Sequence, residues 1–240
     1  MIRLIGFMFL CGNIFLSAQN IPGWLYKPKG ILCDEFAVGY AEKSFYHTSA
    51  INSAIKNAVI QLIKQNKVIV VSKKLFWTTA LGNSVIADNF VERFDTSQIE
   101  SLLKKVVLLD TFITSNYVTV LISRNTCENF DKNKFINNNT FKKPDWITNI
   151  PFDEDYFYAV GASPEYFYKT SSVYEAERSA LYSLAASKQL SVSSLQKSSD
   201  NIEEQREEIV SVEIYNSEIL ERWFDSAAKI FYVLMRMPKQ

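Results

Sequence analysis

Ala37-Val38-Gly39, Phe45-Tyr46, Thr48-Ser49, Ala54, Ala58 and Leu62 form the stretch whose reading decides the fold, because the chain contains it twice. At a constant offset of 122 these residues become Ala159-Val160-Gly161, Phe167-Tyr168, Thr170-Ser171, Ala176, Ala180 and Leu184. Extended without a gap over residues 22–72 and 144–194, the match adds Pro22/Pro144, Trp24/Trp146, Val70/Val192 and Ser72/Ser194. That makes 14 identities in 51 positions, against roughly 3 from ordinary composition. The chain reads as a duplicated unit.

Working outward, residues 36–41 and 157–162 are aromatic and β-branched and run into Gly39 and Gly161. They read as short strands whose glycines supply a tight exit turn through positive φ. A helix follows in each half. Ala50, Ile51, Ala54, Ile55, Ala58, Val59, Leu62 and Ile63 recur at three and four, as do Val173, Ala176, Ala180, Leu181, Leu184 and Ala185. Thr48/Ser49 and Thr170/Ser171 are placed to cap these helices. Alanines at i, i+4 leave a small-residue stripe, so each helix can lie close on a sheet.

Residues 68–79 form a strand by composition, and 190–195 are its shorter counterpart. The charged segments 96–105 and 202–210 read as helical, the run 203–208 as a solvated face. Residues 106–113 with 117–123, and 218–224 with 230–237, read as hairpins. Polar residues 125–143, with Asn137-Asn138-Asn139, form a linker. The fold expected is α+β: two tandem units, 21–124 and 144–240, each a helix on a small, mostly antiparallel sheet, packed as a pseudo-symmetric pair.

Composition narrows function. Apolar residues at 48% supply a sizeable core. Lys+Arg and Asp+Glu both number 26, so no basic excess exists for nucleic acid. The single histidine, His47, removes most zinc, haem and His-based acid–base chemistry. Arg3, the mostly apolar residues 4–16 and Ser17-Ala18 make residues 1–18 an export signal. That apolar run is too short for a comfortable permanent span, so membrane contact is expected only peripherally or through a lipid anchor. Cys11 is the candidate for lipidation, although Met8-Phe9-Leu10 before it are not the small residues such a signal uses. Export permits a Cys33–Cys127 disulfide, and two separate thiols are an equally open reading.

Pro144-Asp145-Trp146, Tyr156-Phe157-Tyr158-Ala159-Val160-Gly161-Ala162 and Ala176-Glu177-Arg178-Ser179-Ala180 together resemble the LPP20 lipoprotein family. Glu221-Arg222-Trp223-Phe224-Asp225 and Tyr232-Val233-Leu234 are similar to that family's closing hairpin. The likeness covers most of 144–237 and extends more weakly to 22–123, through Trp24, residues 36–41 and residues 117–121. It implies dodecin-like units in a bacterial envelope protein without enzymatic activity. The tandem arrangement and the poor lipidation signal depart from the family's simple form.

Candidate sites each have a plain alternative. His47 near Ser44 and Ser49 invites a hydrolase reading, but the matching residue is Lys169, which favours a solvent-facing position. Asp153-Glu154-Asp155 offer oxygens to calcium, yet Ile31-Leu32-Cys33 occupy the matching positions, so an acidic loop is the simpler account. Phe45, Tyr46, Tyr166, Phe167 and Tyr168 either cap the helix–sheet core, present a contact surface, or stack on a planar ligand. Trp24 and Trp146 pack the entrance of each half. No residue is assigned to catalysis, metal or cofactor. The functional expectation is a non-enzymatic, exported cell-envelope protein acting by protein–protein or self-association. The alternative is a periplasmic binder of a flavin, lipid or glycan.

Overall fold

Small and β-branched residues make β1 (Phe36–Glu42) a strand that tolerates a helix pressed flat on it. In the computed structural model that helix is α2 (His47–Asn66). Residues 21–28, 35–79, 82–127, 130, 142–192 and 204–239 are described. Residues 1–18 with Cys11, read above as an export signal, Cys33, and most of the segment 125–143, read as a linker, lie outside them. A short α1 (Gly23–Tyr26) precedes β1, and β2 (Lys67–Thr79), β3 (Gly82–Arg93), α3 (Ile99–Leu103), β4 (Val107–Ile113) and β5 (Tyr117–Ser123) complete the first half. The second half has β6 (Tyr156–Pro164), α4 (Lys169–Val192), β7 (Glu204–Tyr215), β8 (Glu218–Asp225) and β9 (Ile230–Pro238).

The architecture is α+β, with three small antiparallel sheets ordered β1-β5-β4, β6-β9-β8 and β3-β2-β7. Helix α2 covers the first and α4 the second. The contact is unusually close. A Cβ on Gly39 would lie 2.1 Å from Ala54 O and 2.7 Å from Ala58 Cβ. One on Gly161 would lie 2.0 Å from Ala176 O and 2.2 Å from Ala180 N. These glycines therefore admit a helix backbone rather than make the exit turn expected of them. Neither has positive φ, and each strand runs on past its glycine.

A second detail also appears in both halves. Trp24 Nε1 donates to Asp110 Oδ2 at 3.0 Å, and Trp146 Nε1 to Glu221 Oε2 at 2.8 Å. Each acceptor sits just after a register shift, between Leu108 and Asp110 in β4 and between Ile219 and Glu221 in β8. The entrance tryptophans are thus buried and tied to the closing hairpins.

The third sheet overturns two expectations. Residues 202–210 were expected to be helical, but from Glu204 onward they belong to β7, paired with β2 from Thr78↔Glu204 to Lys67↔Tyr215. Local charge density favours a helix there, and a long partner strand from the other half outweighs it. Leu190–Val192, expected as a strand, instead end α4, while 193–195 lie outside the described residues. The Val70/Val192 match therefore pairs strand with helix. Strand β3, which periodicity did not reveal, pairs with β2.

The expected hydroxyl caps are also corrected. Helix α2 begins at His47 after Tyr46, with no side-chain cap bond, and Thr170 points its hydroxyl at Glu42. Asp95 caps the short helical turn before α3, its side chain accepting from Ser97 N. Val68 and Val70 of β2 share a core cluster with Ala176, Ala180 and Leu184 of α4 and Met235 of β9, so the halves share one interior.

Substituting Gly161→Ala should cost about 3 kcal/mol, because the helix backbone has nowhere to retreat. Gly39→Ala should behave alike. An unchanged denaturation midpoint for both variants would contradict this packing.

Candidate functional site

Each long helix starts from a loop that carries two aromatic residues outward. Tyr46 O accepts from Ser49 N at 3.0 Å, and Tyr168 O from Ser171 N at 3.1 Å. Phe45 meets Tyr46 edge-on at 5.2 Å between centroids, and Phe167 meets Tyr168 at 4.9 Å. Phe45 and Phe167 are each 91% exposed, Tyr46 72%. Tyr166 and Tyr168 are exposed as well. Core capping by these residues, the plainer expectation, is overturned: they project from the surface.

Hydrogen bonds bring both loops to one end. Thr170, at the start of α4, donates to Glu42, three residues before Phe45. Lys43 N donates to Asn116 O in the β4–β5 turn, and Glu165 N to Lys229 O in the β8–β9 turn. Glu165 also pairs with Lys169 at 3.2 Å and with Lys229. Two hairpin turns and two aromatic loops thus occupy the same end of the molecule.

Behind that end lies a buried polar tie that sequence reading missed. Glu177 of α4 accepts from Arg222 Nε at 3.0 Å and Nη2 at 2.9 Å, and from Gln61 Nε2 of α2 at 3.2 Å. Arg222 Nη1 reaches Leu25 O at 3.4 Å. Tyr40 O accepts from both Asn57 and Tyr174, one from each long helix. The one signal was positional: Glu177 stands on the flank of the alanine stripe where the first half has Ile55. Burial opposes the charge on Arg222, but Tyr40 and Glu177 together raise its pKa. Burial pushes Tyr26 up to about 12 and holds Tyr40, Tyr117 and Tyr174 above the ordinary phenol range. The Tyr40 hydroxyl is buried without a hydrogen-bond partner.

An open cleft of about 290 Å³ runs between the helices, lined by Gln61, Lys64, Glu92, Glu177, Arg178 and Leu181 among others. Its charges are engaged: Lys64 with Glu92 at 2.5 Å, and Arg178 with Phe90 O at 2.9 Å. His47 and Ser44 are exposed at the start of α2, as expected of a solvent-facing position. Asp153 Oδ1 accepts from Asp155 N at 2.7 Å, turning the acidic loop on itself. Cys127 is disulfide-bonded, with its partner outside the described residues. No helix among the described residues is long and apolar enough to cross a membrane.

Comparison with family models, curated proteins and solved structures returns no match to this chain.

Replacing Glu177 with Ala would leave the Arg222 guanidinium buried without its carboxylate, at a cost of about 3–5 kcal/mol in chemical denaturation. Alkali should act on the tyrosines. Unfolded phenols ionise near the ordinary value of about 10, whereas Tyr26 holds its proton to about 12 in the fold. The unfolded chain therefore loses protons first, and stability falls as pH rises through that window. Thermal midpoints that stay flat across it would contradict the burial of these rings.

Proposed function

We propose that this chain is a non-catalytic, exported protein of the bacterial cell envelope that works by association, with protein partners or with itself. In this reading it is a tandem pair of related, dodecin-like α+β units. The equal strand orders, the matched glycine–alanine contacts and the matched tryptophan–carboxylate bonds support the pairing. The likeness of residues 144–237 to the LPP20 lipoprotein family agrees with an envelope role, as does the signal-like segment 1–18.

One observation carries the functional part. Between the halves, Gly39/Gly161, Ala54/Ala176 and Ala58/Ala180 are identical for a reason visible in the packing. Phe45-Tyr46 and Phe167-Tyr168 are identical too, yet they project outward and pack little. By contrast Ile55, packed against the first core, is matched by the buried Glu177, and the buried ring of Tyr40 is matched by the exposed Ala162. Exposed aromatic rings that outlast interior ones are best explained by contact with something outside the chain.

A second reading, a periplasmic small-ligand binder, is favoured by the cleft between α2 and α4. A thermal-shift screen against flavins, lipids and glycan fragments addresses it, since a ligand raises the midpoint by mass action.

For the leading reading, the chain from residue 19 onward should run as an oligomer in size-exclusion chromatography with light scattering, or be recovered with envelope fractions of its host. A monomer recovered from the cytoplasm would overturn it.

A further inference from the structure

The exposed aromatic end fits one kind of contact better than another. It offers projecting tips rather than a groove or a flat patch. A protein partner would need a pocket shaped for each ring, because interface anchors earn their energy in closely fitted, desolvated pockets. A fluid lipid surface closes around such tips without any matching shape. The grading of chemistry points the same way. The most exposed side chains, Phe45 and Phe167, are purely apolar, and each has an amphipathic tyrosine set edge-on against it. Apolar rings below and phenols at the headgroup level is the order found at membrane–water interfaces.

Charge at this end is balanced. Lys43, Lys169 and Lys229 stand at the base of the tips. The carboxylates beside them are engaged: Glu42 accepts from Thr170, and Glu165 pairs with Lys169 and Lys229. With Asp225, which opens the β8–β9 turn and accepts from Ala227 N and Ala228 N, three ammonium groups face three carboxylates, so the rings rather than net charge must supply the binding.

We propose that this end seats on the surface of a lipid bilayer, with Phe45 and Phe167 entering the acyl boundary and the neighbouring tyrosines and lysines at headgroup level. The proposal rests on the reading that the aromatic end is a contact surface, and it names the partner. Protein contacts would then use the rest of the molecule, including the outer edge of β3.

The test uses the chain from residue 19 onward, which contains every described residue. It is sedimented with vesicles of phosphatidylglycerol and phosphatidylethanolamine, and separately with phosphatidylcholine vesicles. The unaltered chain should bind both to a similar extent, because the end carries no net charge and the rings drive insertion. The double variant Phe45→Ser/Phe167→Ser should lower the vesicle partition coefficient by about tenfold or more while keeping its melting temperature, because it removes the apolar area that drives insertion. Val91→Ser, at an exposed position on β3 beside Glu92, should bind normally. Failure to bind either vesicle, or undiminished binding by the double variant, overturns the proposal. If the double variant instead dissociates an oligomer in vesicle-free light scattering while vesicles recruit nothing, the end is a protein contact. The lipid assignment then falls while the association reading stands.

Discussion

Contact between a helix backbone and a strand, with no side chain between them, is the constraint on which the rest of this structure depends. At Gly39 and Gly161 the helix comes so near that a methyl group would lie about 2 Å from a carbonyl oxygen. Only glycine below and alanine above permit that approach, and the fit removes apolar surface from water without any large ring in the layer. The orientation of each helix is then set, and with it the direction in which its first turn leaves the sheet. The aromatic loops precede those turns directly, so their outward projection follows from the same contact.

What joins the halves is different in kind. Sheet β3-β2-β7 takes strands from both, and its inner residues Val68 and Val70 lie in the same interior as α4. The Glu177–Arg222 pair adds a polar tie that also engages Gln61 and Leu25 of the first half. Apolar burial supplies most of the cohesion there, because two charges taken out of water return little net stability even when well paired. A shift of the halves would leave the two charges paired but would strip them of Gln61 and of the Leu25 carbonyl, two polar partners that the buried pair could not replace from water.

The legible part of the fold was what is local or duplicated. The two strand–helix segments and both closing hairpins could be read from periodicity and turn residues, with bounds that shift by a few positions. Strand β7 could not, because the helix-prone charged run at its start is overruled by pairing with β2. Strand β3 was missed for a related reason: it is ordered by a partner rather than by its own pattern. The glycines were correctly singled out but given the wrong physics, since a sequence shows that side chains are absent and not what occupies the space. Glu177 and Arg222 were in view within familiar motifs, yet nothing local says that a charge on the flank of an alanine stripe faces inward. The aromatic pairs were chosen as candidates because both halves carry them, and only the structure shows them outside the core.

That last difference bears on how the exterior should be read. A phenylalanine exposed to water gains nothing from folding, and two on one end raise the tendency to aggregate. Neighbouring positions show that change was open. His47 in one half is Lys169 in the other, each the first residue of its helix, and Ser44 is Tyr166 on the loops before them. Packing does not hold the rings in place, for they bury little of their surface. Helix initiation does not hold them either, since the first-turn bonds use only the Tyr46 and Tyr168 carbonyls, which any residue supplies. With both internal causes removed, neither packing nor helix initiation accounts for the identity of the two Phe-Tyr pairs, and this is the observation on which the proposed contact role of the rings rests.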